Sequence, residues 1–323
     1  MDAITAQLAR ACRRLVAVAE TAPIDGPWTC EDDLGGLRER LGLSPTELAI
    51  IWMLIAHEVL PTARELIRRI NTEQVSDPTR DTLRRAVYGD RPSRAAWREL
   101  SSDGRLKRLA LVEVVDGTGP YHRHTFRIAG RVLAMVHGDI ELDPEIATIA
   151  QAPLAIRRLD ELQISPTTAL DIARALVADP GLVIVSGRAG TGRRSVLAAV
   201  AAEHGLAVVE IDARAIALDI EAASRQLRVI ARECALFDKV PLVRNLDALG
   251  ERVDIVEREL SGLVLATTSR PIVRRWRRPP TLIELPPPTG AQRAAVWSQV
   301  VPDAAADRFA TMYPLAPALI HAV

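Results

Sequence analysis

The chain has 323 residues, 48% of them hydrophobic and 25% charged, with 41 basic and 41 acidic side chains. That length favours two domains with cores of their own, and zero net charge excludes a global field that would draw in nucleic acid or anionic lipid. Cys12, Cys30 and Cys234 show no CxxC spacing, the longest apolar run (residues 48–56) is too short for a bilayer, and the N-terminus lacks a signal peptide's apolar core; a soluble cytoplasmic protein with no membrane partner is expected.

The first segment is predicted helical, with Ile4, Leu8, Cys12 and Leu15 recurring on one face. At "LSPTELAIIWMLIAHEV" a second helix is predicted, with Ser44 as N-cap, Pro45 at the first helical position and Glu47 closing a capping box. Asp77 can cap a third helix that Pro78 would begin. A further helix, a basic connection and two strands around Asp116 and Gly117 come next, the "DG" marking a hairpin. Helices followed by a two-stranded hairpin describe a winged-helix-like module over residues 1–150. A bridging segment succeeds it, in which Asp143 and Pro144 can open a short helix.

From about Leu170 short apolar strands alternate with helices: "GLVIVSG", "SVLAAVAAEHG", "LAVVEID", "AASRQLRVIARECAL", "VPLVRNL" and "SGLVLATTS". Such strands, lacking polar alternation, predict a parallel sheet covered on both faces. The α/β part is placed at residues 151–285 and a helical lid begins at 286 and runs to 323, where the apolar ending "LAPALIHAV" suggests part of a longer protein.

The stretch "GLVIVSGRAGTGRRS" carries the chemistry. In a phosphate-binding loop, GxxxxGK[ST] after a strand wraps backbone N–H groups around phosphates, lysine reaches the terminal phosphates and the hydroxyl binds magnesium. Gly187, Gly190, Thr191 and Gly192 supply the scaffold, whereas Arg193 stands at the lysine position and Arg194 at the hydroxyl position, with Ser195 one residue late. Arginine keeps the charge but is longer, planar and forked. The loop alone leaves two readings open, contact with ATP or ADP or only a tight strand-to-helix turn; magnesium is disfavoured because its hydroxyl ligand is absent. Downstream, Arg244 and Asn245 occupy the strand end where a hydrolytic enzyme carries an acidic pair, and Asp247 lies too far on to replace it. No residue is assigned a catalytic or metal-ligating role.

In order and spacing, "GRAGTGRRS", "VPLVRNLDAL", "LVLATTSRP" and "IELPPPTGAQRAAVW" resemble the Walker A loop, Walker B strand, sensor-1 strand and lid start of an AAA+ ATPase. The resemblance runs from about Leu170 to the end, and implies an AAA+ P-loop α/β fold with parallel sheet and helical lid. Together with the preceding winged-helix-like module and the helix carrying "ARECAL", the chain is similar to bacterial winged-helix tandem AAA+ proteins that accompany contractile injection systems. That resemblance implies a degenerate first AAA+ domain, with hydrolysis in a second domain beyond Val323. It implies nucleotide binding, ring assembly as a homo-oligomer or with the downstream domain, and docking of a protein substrate or effector. Ser269 departs from the usual sensor-1 asparagine. Arg270, Arg274, Arg275, Arg277 and Arg278 lie where such rings present an arginine finger, or else form a solvated basic loop.

Two alternatives are carried: an active ATPase with atypical motifs, and a winged-helix DNA-binding regulator using Arg91, Arg94, Arg98, Arg105, Lys107 and Arg108. Glu99, Asp103 and overall neutrality rank nucleic acid below a protein-docking role. His122 and His124, on one face of the predicted second strand, offer two metal ligands without a third, or else an exposed wing. Trp52, Trp97, Trp276 and Trp297 are expected to be packing residues or exposed anchors, not a stacking platform.

Overall fold

The computed structural model describes residues 3–24, 26–30, 34, 36–71, 75–90, 93–101, 103–151, 156–178 and 181–320. They divide into two compact units, residues 1–141 and 142–323.

In the first unit, α1 (Ala3–Ala19) buries Ala11, Leu15 and Val18, residues at helical spacing, against α3 and α4. After the single turn α2 (Leu37–Leu41) comes α3 (Pro45–Val59), the helix around which this core is built: residues 48 to 56 are all buried. The expected capping box is formed, with Ser44 Oγ accepting from the Glu47 amide at 3.0 Å and Glu47 Oε2 from the Ser44 amide at 2.8 Å. α4 (Pro61–Ile70) comes after a bend of 107°; among the described residues no single helix is long and apolar enough to cross a membrane.

α5 (Arg80–Tyr88) starts later than expected. Thr79, not Asp77, caps it by accepting from the Thr82 amide, because Asp77 is engaged by Arg127 at 3.0 Å. The short helices α6 (Arg94–Glu99) and α7 (Arg105–Arg108) then lead into strands β1 (Val112–Asp116) and β2 (Thr125–Ile128), and α8 (Gly130–Val136) closes the unit. The hairpin is present but its connection is longer than a "DG" turn. It includes a 3₁₀ turn at Tyr121–Arg123, which takes His122 out of the strand and corrects the expected shared strand face with His124. Thr79 adds a single antiparallel bridge to Thr125, so the segment before α5 touches the hairpin as a rudimentary third strand.

Glu99 is buried, not a surface charge. It accepts from the hydroxyls of Ser44 (3.0 Å), Thr46 (2.7 Å) and Tyr88 (2.5 Å), which together supply the hydrogen bonds a buried carboxylate requires. Burial and the bond to Glu99 push the Tyr88 hydroxyl's pKa up.

The second unit begins with residues 142–151, tied to it by the buried Arg232–Asp143 pair and by β3 (Ala150–Gln151), which runs antiparallel to β5. α9 (Pro166–Val177) precedes β4 (Leu182–Ser186), α10 (Arg193–Glu203), β5 (Ala207–Asp212), α11 (Ile220–Leu236), β6 (Lys239–Arg244), α12 (Asp254–Glu259), β7 (Val264–Thr268) and β8 (Thr281–Glu284). The sheet order is β3-β5-β6-β7-β4-β8, parallel throughout except for β3. One face packs on α11 and α12 through Ile184, Ile211, Leu227 and Val256; the other packs on α9 and α10 through Val183, Val185, Leu197 and Leu242. Strands buried on both faces explain the unbroken apolar runs.

Beyond the sheet lie α13 (Gly290–Trp297), α14 (Asp303–Met312) and α15 (Pro317–Ile320), gathered around Trp297, Phe309 and Ile320. Thr289 and Gln292 form a second capping box, which fixes where α13 starts after the proline run.

Candidate functional site

The glycine loop sits between β4 and α10, at the carboxyl end of the parallel strands, where open α/β sheets bind ligands. Gly187 has no room for a side chain, since a Cβ there would lie 2.7 Å from the Leu285 carbonyl oxygen. Gly190 and Gly192 hold φ of 83° and 91°, and Gly192 caps α10 in the left-handed region. Thr191 is buried and closes the turn, its Oγ1 donating to the Arg188 carbonyl at 2.8 Å. The first amides of α10 have no intrahelical acceptor and share the positive end of the helix dipole. Gly187→Ala is expected to destabilise the second unit by about 1–3 kcal/mol, the cost of overpacking against backbone, read as a lowered urea midpoint.

Beside the loop is a cavity of ≈ 190 Å³. Its walls come from Leu162 and Ile164 before α9, from Gly192 and Ser195, and from Val296 on α13 and Gln299 just after it. This is below the roughly 300–1,000 Å³ of a drug-sized site.

Arg193 and Arg194 part company at the first turn of α10. The Arg193 Nη1 is buried without a hydrogen-bond partner, and burial lowers the pKa of the guanidinium against the opposing pull of the Asp247 carboxylate. Asp247 is itself held by Ser269, whose Oγ donates to it at 2.5 Å and whose amide does so at 3.2 Å. Arg194 turns instead to Glu210 on β5, 3.6 Å away.

Glu210 is 2% exposed and also lies 3.5 Å from Arg244 at the end of β6. Arg244 faces Asp212 across the β5–β6 ladder at 3.3 Å, and Asn245 donates to the same carboxylate at 3.1 Å. Arg214 completes the set at 2.7 Å from Asp212. Arg214 above all, with Asn245, holds the Asp212 carboxyl well below the usual carboxylate range. A depressed carboxyl contributes its stability in full above its unfolded pKa of about 3.9 and loses it as pH falls through the lower folded value. Below about pH 4, stability should therefore drop more steeply in the wild type than in Asp212→Asn, as urea titrations at stepped pH will show.

Magnesium does not fit this arrangement. It demands an oxygen octahedron, whereas guanidinium groups of Arg194 and Arg244 flank the carboxylates and Arg194 stands at the hydroxyl position. The structure gathers Gly187 through Ser195 at one loop but sends Arg193 and Arg194 to different neighbours. Sequence reasoning missed Glu210 and Asp212. Their signal was present in "VVEID": two carboxylates two apart on a buried strand share a face and require cations.

The basic loop after β7 divides. Arg274 pairs with Glu257 at 3.4 Å and Arg278 donates to the carbonyls of Leu260 and Gly262, while Arg270, Arg275 and Arg277 are exposed. In the first unit Arg105 lies 3.9 Å from Glu47, and Arg91 is outside the described residues.

Residues 27–150 match the family model of the winged helix domain, variant. A search of curated proteins found no match to the chain. The chain thus carries a winged-helix domain, followed by an α/β region built on a mostly parallel six-stranded sheet.

Proposed function

We propose that the α/β unit is a degenerate AAA+-type P-loop domain that holds ATP or ADP without hydrolysing it, and that the winged-helix domain docks a protein partner. Together they serve ring assembly or partner loading in a remodelling ATPase of the contractile-injection-system-associated kind. The observation that carries the nucleotide reading is the Arg193 guanidinium. It is a partly buried cation with an unsatisfied Nη1, set at the first turn of a helix behind two positive-φ glycines. A phosphate offers the acceptor that this nitrogen lacks.

Sheet order supports the fold part of the reading. Numbering only the parallel strands β4 to β8 as one to five gives 5-1-4-3-2, with the loop after the first strand, in keeping with the parallel sheet that the AAA+ resemblance implies. On this reading the cavity beside the loop would take the base. Arg244 and Asn245 leave no acidic pair at the strand end, so the attacking water has no positioned base. The exposed Arg270, Arg275 and Arg277 are the finger candidates toward a neighbouring subunit, because Arg274 and Arg278 are engaged in internal bonds.

Calorimetry of the 323-residue chain with ATP and ADP, with and without magnesium, combined with a phosphate-release assay, tests this. Binding of similar strength in both metal conditions with no phosphate released is expected. No binding at millimolar nucleotide, or magnesium-dependent turnover, would sink it.

A further inference from the structure

The winged-helix domain holds a second orphan cation. Arg80, at the start of α5, is 6% exposed; its Nε and Nη1 are buried without hydrogen-bond partners, and no carboxylate lies within ion-pair distance of it among the described residues. The guanidinium carbon lies 3.2 Å from the Tyr121 ring centroid and 5.3 Å from that of Phe126. Burial lowers its pKa to about 10. Ring faces offset part of the desolvation of a buried guanidinium but accept none of its N–H groups linearly.

Arg80 lines a groove of ≈ 260 Å³ whose apolar side is Ala96, Trp97, Leu100 and Tyr121 and whose polar side includes Asp81 and Arg84. Trp97 is 65% exposed and its ring lies 4.5 Å from that of Tyr121, so an aromatic pair stands open where helix and hairpin loop meet. Trp97 is thus an exposed anchor, one of the two roles expected for it. The neighbouring cation Arg84 is already taken, donating to Asp81 at 2.9 Å.

We infer that this groove is a docking site for an acidic peptide segment of a partner protein, in which an aspartate or glutamate carboxylate meets Arg80 and an adjacent apolar side chain lies on Trp97. Charge complementarity selects the occupant: Arg84 and Asp81 offset one another, so the groove offers the unsatisfied Arg80 cation beside apolar side chains. A carboxylate on a flexible peptide side chain is slender enough to enter such a groove, whereas duplex phosphates are fixed along a rigid backbone. Large aromatic side chains beside an arginine are the composition that dominates protein-binding energy.

The test titrates the full chain with the acetylated, amidated hexapeptide Asp-Phe-Asp-Phe-Asp-Phe and with its asparagine twin, by calorimetry. The aspartyl peptide should bind at least tenfold more tightly than the twin. Arg80→Met should erase that preference, and Trp97→Ala, a surface change that leaves the core intact, should weaken the aspartyl peptide at least tenfold. Equal binding of the two peptides, or an unchanged affinity in Trp97→Ala, overturns the inference. So does a 20-base-pair DNA duplex that displaces the peptide and itself requires Arg80.

Discussion

Arg244→Ala should cost the second unit about 3 kcal/mol, the lower end of the loss caused by removing one partner of a buried ion pair. The reason lies in the charges left behind. Glu210 is 2% exposed on a strand covered on both faces, so its charge has no water to fall back on. With Arg244 gone, among the described residues only Arg194 at 3.6 Å would pair with it, and Asp212 would lose one of its cations. Arg244 is itself about a quarter exposed, and screening keeps the loss away from the upper end. A double-mutant cycle isolates the coupling: Glu210→Gln with Arg244→Ala should be less damaging than the sum of the singles by about 1 kcal/mol or more. If Arg244→Ala lies within about 0.5 kcal/mol of wild type in urea titrations, the ion network is not what holds this end of the sheet.

The same network explains why part of this molecule was legible in the sequence and part was not. Apolar strands without alternation announced a parallel sheet, and the capping box at Ser44 and Glu47 announced α3, because both are local consequences of burial and backbone satisfaction. Asp77 was misread since its use is tertiary: Arg127 engages it from a residue 50 positions away, leaving the cap to Thr79. The hairpin was legible from its strands, yet the 3₁₀ turn carrying His122 was not. Trp97 and Arg80 are far apart in sequence from Tyr121, so the groove they form with it exists only once α5, α6 and the hairpin loop are assembled. At the glycine loop, sequence could not tell that adjacent arginines diverge. Successive residues on a helix are separated by about 100°, and here that sends Arg194 to Glu210 and leaves Arg193 without an ion pair.

Arg193→Met should therefore move stability and binding in opposite directions. In the free protein the guanidinium is desolvated with Nη1 unsatisfied, so an apolar side chain of similar reach should raise stability by about 1 kcal/mol, the scale of one unmet buried polar group. In the proposed nucleotide complex the same change would remove a charge-assisted bond to phosphate. Losing such a bond costs about 2 kcal/mol or more, which is roughly 30-fold in Kd for ADP. Arg193→Lys restores a compact cation at the lysine position and should hold binding within about tenfold of wild type. It should still release no phosphate, since Arg194 and Arg244 continue to occupy the Glu210 and Asp212 carboxylates. Thermal melts with and without ADP read both halves at once. A methionine variant that melts higher alone and gains less from ADP than the wild type is the expected pattern. A methionine variant destabilised when free would mean that Arg193 supports the fold, and the loop would then be a strand-to-helix turn that keeps its glycines for shape.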